Sequence, residues 1–343
     1  MKVGRDRFLH ALQSVQAGID QKGLVEQSRC FVFHQGHVMT YNDEVFCRAS
    51  SGLSDDIEGA VDAKPLASVI EQIDCEELNV VVEDKEFCIY SGDERAWVRM
   101  DQEITSPLML ITLPKEWKRL APDFSDALKL IEPCVGKDET MFSLTCVHVC
   151  PDWLEGCDDI QICRWNLKTG VQTPVLVRGK ALIKMADLGM TEVSEDTKWL
   201  HFRGPDSLTF SCRRYLEAYQ DLSGFLEVEG ENLVLPKEIT APIKKAKLFA
   251  EDNMEAKQIQ VRIKKGKMSI KGEGFSGGYE KSPLSVEYSG EPLIFYISPD
   301  TFSRIAEKHH ECVVSKDKLK VQGSNYTYIT CLVRPEELHK EKK

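Results

Sequence analysis

Twelve cysteines, two adjacent histidines and two pairs of adjacent aspartates are the residues whose types could carry chemistry in this chain of 343 residues. The cysteines, at 30, 47, 75, 88, 134, 146, 150, 157, 163, 212, 312 and 331, would point to zinc if they came as CxxC pairs, and none do. Most fall in apolar, strand-like runs and read as reduced core residues, so no metal is expected. His309-His310 closes a helical pattern, where the helix dipole favours a cation, and capping is preferred to acid-base work. Asp55-Asp56 and Asp158-Asp159 have the character of solvated-loop acids, with nothing at ligand spacing to pair with them. The run GEGFSGG at 272–278 lies between two strand patterns rather than opening a helix. It reads as a flexible turn, not a phosphate cradle or a nucleophile elbow. Neither a catalytic residue nor a cofactor is expected.

Charge remains. A formal net charge of -11 argues against a chain that grips DNA with its whole surface. Lys and Arg nevertheless gather on helical patterns. Arg5 and Arg7 begin the first; Arg178, Lys180 and Lys184 fall on one in the middle; Lys237, Lys244, Lys245 and Lys247 on a later one; Arg304 and Lys308 on the last. Taken one helix at a time, a solvated face accounts for them. Taken together, with acids left to strands and loops, they would form one positive surface suited to salt-sensitive, sequence-blind phosphate contact. No aromatic signature for base stacking accompanies them.

The elements that must position these residues recur. Residues 258–335 run as strand, strand, strand, strand, helix and three more strands: QIQVRI and KMSIKG flank a KKGK turn, and LSVEYS and LIFYIS continue the meander. SPDTFSRIAEKHH has a Ser cap, Pro at the first helical position and Phe302, Ile305 and Ala306 at helical spacing. CVVSKD, KLKVQG and YTYITCLV follow as strands. Upstream, residues 5–17 and a segment starting near Pro65 give helices, each followed by strands. DFSDALKLIEPCV and RGKALIKMADL repeat that order, with FSLTCVHVC and DIQICRWNLKTG as strands. PKEITAPIKKAKLFA is a further helix that Pro242 should shorten or kink. The repeat is about 115 residues, each copy a doubled unit of one helix and several strands. Domains are expected at 1–113, 114–230 and 231–335, with a charged tail at 336–343. No apolar run is long enough to span a membrane, so a soluble, cytoplasmic protein without membrane contact is expected.

The order of elements, the length and the local runs LPKEI, KGKMSIKGE, LSVEYSGEPLIFYISPDTF and YTYITCLVRP resemble the three-domain bacterial DNA polymerase III β sliding clamps, the processivity subunits of replicative polymerases. The resemblance covers essentially the whole chain and is most specific from 235 to 335. It implies an α+β fold of three tandem clamp domains. Two subunits would join head to tail into a homodimeric ring, helices inside and sheets outside, that encircles duplex DNA without sequence preference. It implies a non-catalytic protein that tethers a DNA polymerase and meets a clamp loader through short peptide motifs. The partner-peptide pocket would fall on Leu144, Leu167, Val234, Ile329, Cys331, Val333 and Arg334. Here the family's glycine-histidine-arginine-leucine turn is replaced by Arg164-Trp165-Asn166-Leu167, and its terminal methionine-proline-methionine by Cys331-Leu332-Val333. The subunit joint would involve Leu248 and Phe249 on one side and Ala96 or Val98 on the other. Departures of this kind mark a divergent member, phage-encoded or otherwise. Two alternatives stay open: an α+β enzyme of unrecognised type, and a clamp-fold regulatory oligomer that does not bind DNA.

Overall fold

A computed structural model describes residues 1–252 and 257–334; the tail expected at 336–343 lies outside the described residues. The chain opens with β1 (Lys2–Gly4), α1 (Arg5–Ser14), β2 (Cys30–His34), β3 (His37–Tyr41), β4 (Val45–Ser50), β5 (Gly59–Asp62), α2 (Ala63–Gln72), β6 (Glu77–Glu83), β7 (Glu86–Ser91) and β8 (Glu94–Asp101). It continues with β9 (Lys118–Arg119), α3 (Phe124–Ile131), β10 (Cys146–Val149), β11 (Trp153–Cys157), β12 (Gln161–Asn166), β13 (Val175–Arg178), α4 (Gly179–Leu182), β14 (Glu192–Glu195), β15 (Trp199–Arg203) and β16 (Thr209–Arg213). The last part holds β17 (Glu231–Val234), α5 (Thr240–Ala250), β18 (Ile259–Lys264), β19 (Lys267–Gly274), β20 (Gly277–Ser285), β21 (Glu287–Tyr288), β22 (Leu293–Ile297), α6 (Pro299–Lys308), β23 (Glu311–Val314), β24 (Lys318–Gln322) and β25 (Tyr326–Cys331).

Two compact units form, one of Met1–Gly156 with Asn166–Tyr219, the other of Cys157–Trp165 with the chain from Gln220 on. In the first, a twelve-stranded sheet runs β1-β6-β7-β8-β5-β2-β3-β4-β16-β15-β14-β9. The antiparallel pairing of β4 with β16, Phe210 against Cys47, carries this sheet across the boundary expected near residue 113. β13, β10 and β11 pair antiparallel in that order in the same unit. In the second unit, β20-β19-β18-β22 make a four-stranded sheet, and β12, β25, β24, β23, β17 and β21 pair in that order.

The helical patterns fold because each has an apolar stripe to bury. Phe8 of α1 lies 6.2 Å from Phe33 and 6.3 Å from Phe87. Phe124 of α3 meets Phe202 of β15 at 5.7 Å, and Phe302 of α6 meets Phe295 of β22 at 6.4 Å. All are fully or almost fully buried, and each such side chain contributes roughly 1.5–3 kcal/mol by burial. The same kind of aromatic plug thus fixes a helix to a sheet three times along the chain. At α6 the Ser298 hydroxyl accepts the Thr301 N–H and Pro299 takes the first helical position, as the sequence implies. α5 begins only at Thr240, which puts Pro242 in the first turn, where the missing N–H has no intrahelical partner to lose.

Three readings of the sequence are corrected by the structure. LSVEYS is not one meander strand: its first part ends β20 and Glu287–Tyr288 is β21, which leaves for the other sheet and pairs with β17. β22 pairs with β18, not β20. FSLTCVHVC begins as a 3-10 helix over Glu139–Thr145, started by Asp138, whose side chain accepts the Thr140 N–H, so Leu144 is not on a strand. The helix expected in RGKALIKMADL is a single turn, α4, followed by a 3-10 turn.

Candidate nucleic-acid interface and partner surfaces

Helix charge departs from the rest of the chain. The six α-helices among the described residues carry ten Lys and Arg against five Asp and Glu, whereas the whole chain has 44 against 55. α5 is the extreme, with Lys244, Lys245 and Lys247 and no acid. Lys245 is exposed, with its ammonium 6.0 Å from the Tyr279 ring centroid. Lys244 reaches Glu307 at 3.0 Å and Lys247 reaches Asp300 at 2.6 Å, both on α6. Those pairs tie α5 to α6; Lys244 stays exposed, whereas Lys247, also 3.3 Å from Glu251, is half-buried. The Asp300 carboxylate, bonded to Lys247, holds that ammonium's pKa above the usual lysine value. Arg7 and Lys308 are exposed and form no ion pair among the described residues.

Other expected cations sit differently. Arg178 is only 3% exposed. It ends β13 instead of lying on a helix; its guanidinium donates to Thr145 Oγ1 and to Glu139 Oε1, both at 2.5 Å, and stacks over Phe142. It cannot face a ligand, because the 3-10 helix of residues 139–145 covers it. Lys180 on α4 pairs with Glu44 at 3.3 Å, and Lys184, on the following 3-10 turn, donates to the Ala17 carbonyl at 3.0 Å. Arg5 donates to the Ile70 and Glu71 carbonyls at the end of α2, joining α1 to α2. Arg304 is half-buried and donates to Gln161 Oε1 at 2.7 Å and Tyr328 at 3.2 Å, so it turns toward the sheet. Lys237 is exposed but lies in the turn before α5, since Pro236 and Pro242 delay the helix.

At the expected subunit joint, residues 94–99 of β8 pair with β7 alone among the described residues; β5 meets only Met100 and Asp101. β20 likewise has a single partner strand among the described residues, β19. Leu248 is 68% exposed and Phe249 half-buried. On β8 the exposed apolar side chain is Trp97, at 56%, with Arg95 stacked on its ring at 5.1 Å. Ala96 and Val98 are half-buried on the opposite face. Strand alternation, read with the buried Met100 as its reference, could have found Trp97. Phe275 is 81% exposed at the β19–β20 tip.

Of the residues expected to receive a peptide, Leu144 and Leu167 are buried in the first unit, and Ile329 is a core residue of β25 opposite Ile162. Val234, Val333 and Arg334 are half-buried and Cys331 is exposed. Val333 exchanges backbone hydrogen bonds with Tyr296 of β22, which holds the end of the described chain against the four-stranded sheet.

One Ser-His-Asp set escaped sequence reading. On β15 and β16, His201 Nδ1 lies 2.7 Å from Ser211 Oγ and its Nε2 3.2 Å from Asp196 Oδ2. His201 and Ser211 are fully buried, so no substrate reaches the hydroxyl, and burial lowers the His201 pKa below the usual histidine value. The set fastens two strands and the turn before them. GEGFSGG contains both GxGxxG and GxSxG spacings, but it forms the β19–β20 hairpin with no helix after it. No group of three or more metal-ligating side chains occurs among the described residues. No described helix is long and apolar enough to cross a membrane. His309 caps α6 through its backbone, yet its ring is half-buried against Tyr326, and burial with Lys308 and His310 nearby lowers its pKa. That overturns the cationic role expected of it.

No family model and no curated protein matches the chain by sequence. Solved structures do. A DNA polymerase sliding clamp from Pseudomonas aeruginosa is 14% identical, with TM-score 0.83 over 97% of this chain and 99% of that one. A DnaN sliding clamp from Bartonella birtlesii, bound to griselimycin, is 15% identical at TM-score 0.83, again over 97% and 99%. The DNA polymerase III β subunit of Thermotoga maritima is 14% identical at TM-score 0.82, over 97% and 98%. Along essentially its whole length, the chain therefore has the fold of the bacterial DNA polymerase III β sliding clamps.

Proposed function

We propose that the chain is a sliding clamp: a homodimeric ring that encircles duplex DNA without reading its sequence, catalyses no reaction and tethers a replicative polymerase. The observation that carries this reading is the whole-length likeness to sliding clamps, at TM-scores of 0.80 to 0.83. The excess of Lys and Arg on helices of an acidic chain supports it, since a ring needs weak, sequence-blind phosphate contact on one surface and repulsion elsewhere. The two open edges support the dimer: residues 94–99 of β8 in one copy and β20 in its partner would continue a sheet across the joint, leaving no exposed edge. Trp97, Leu248, Phe249 and Phe275 supply the apolar contact.

Polymerase and loader are proposed to bring short peptides to the C-terminal segment, where Val333 and Arg334 lie beside β22 and stay half-exposed. The griselimycin-bound clamp of Bartonella birtlesii is a relative in fold that holds a ligand. The test is primer extension on singly primed circular single-stranded DNA with the cognate polymerase and loader. Adding the chain lengthens products from one binding event, and Lys244→Glu with Lys245→Glu and Lys247→Glu removes the gain. Product lengths indifferent to the chain would count against the function, and a gain untouched by the triple variant would count against the helix surface.

A further inference from the structure

The hairpin between β18 and β19 carries the densest cationic cluster outside the helices. Its turn, Lys265-Gly266, has φ of 50° and 70°, a type I′ geometry for which Asn or Gly at the first position is the easier choice. Lys264 and Lys267 sit directly opposite each other in the register, with Arg262 opposite Ser269 two residues along. Like charges facing across an antiparallel pair repel. On the other face Val261, Ile263, Met268 and Ile270 are buried, and α5 packs there through the contact of Ala246 with Gly272. The cations therefore project from the face away from α5 and its lysines.

Arg262, Lys264, Lys265 and Lys267 have no ion pair among the described residues, whereas Lys271, at the far end of the same sheet, is bonded to Glu273 and registered against Glu280. A cavity of about 300 Å³ is lined by these four cations together with Met268 and Pro283. An uncompensated cationic recess in a chain of net charge -11 is complementary to several carboxylates or phosphates at once. Its lining has no aromatic ring on which a base could stack, and the exposed ring of Pro283 gives it a small apolar spot. Both features favour a peptide over a nucleic acid.

We propose that the β18–β19 hairpin is a docking site for an acidic, partly apolar peptide segment of a partner protein, separate from the helix cations and independent of the clamp function. Fluorescence anisotropy with a labelled Glu/Asp/Leu peptide tests it, with labelled oligothymidylate in parallel. The acidic peptide binds in a salt-dependent way, and Lys264→Gln with Lys267→Gln weakens it by about tenfold or more. Both residues are exposed at the strand ends that flank the turn, and a thermal melt of the variant checks its fold. The more severe Lys264→Glu with Lys267→Glu abolishes binding. Absent binding of the peptide, or equal binding by the Gln variant, overturns the site. Equal weakening by the α5 triple lysine variant would reduce it to general attraction and overturn it too. Oligothymidylate binding more tightly than the peptide, with the same hairpin dependence, would make the site one for nucleic acid and the proposal wrong.

Discussion

Arg178 was legible as a cation but not as a buried one. It follows the apolar run Val175–Val177, and sequence alone does not tell whether such a residue ends a strand or begins a helix. In the structure it is held by Thr145 and Glu139 at 2.5 Å with its side chain almost wholly covered. Arg178→Ala is expected to cost about 2 kcal/mol in urea unfolding, the scale of hydrogen bonds to a charged group, since Glu139 itself stays exposed. An unfolding midpoint equal to wild type would show that the network is dispensable. The histidines make a second prediction. His37, His201 and His309 all titrate below the usual value, burial being the first cause in each. A folded pKa below the unfolded one means that the unfolded chain binds more protons. Stability is therefore full above the unfolded value of about 6.5 and is lost as pH falls from there toward the folded values. Melting temperature should drop between about pH 7.5 and about pH 5.5, and His201→Asn should shrink the drop. An undiminished drop in that variant would assign the effect elsewhere.

At the scale of elements, helices were the more legible class, because Phe8, Phe124 and Phe302 stand on stripes that one sheet face must cover. Strand alternation showed that LSVEYS was extended but could not name its partner, and so missed the passage from β20 to β21. The Asp138-started 3-10 helix was hidden for a similar reason: Phe142, Leu144 and Cys146 alternate as a strand would. Close approach of α5 to β19 depends on Gly272, where an added Cβ would lie 2.0 Å from the Ala246 carbonyl oxygen. Gly272→Ala is expected to destabilise by roughly 1–3 kcal/mol, as overpacking does, and a thermal melt unchanged from wild type would mean that α5 shifts freely. The open edges predict assembly. Trp97→Glu with Leu248→Glu should convert a species of twice the 38.9 kDa chain mass to monomer in analytical ultracentrifugation at micromolar concentration. A dimer that survives both changes would place the joint on another surface.

For the whole molecule, the three-copy plan and the clamp resemblance were readable from element order and length, although residue identity to the solved clamps is only 13 to 15%. That is possible because a packed helix-on-sheet unit constrains pattern and volume more than identity. Surface sites are less constrained by packing: the excess of Lys and Arg on helices is legible in the sequence, whereas the burial of Arg178 and the turn of Arg304 toward Gln161 depend on packing partners that the sequence does not show. A ring that holds DNA by enclosing it binds according to the topology of the DNA more than to its sequence. Retention on circular plasmid DNA after loading, measured by gel filtration before and after a single restriction cut, tests this most directly. Protein is expected to co-elute with the circle and to leave when the plasmid is linearised; equal retention on circular and linear DNA would rule enclosure out.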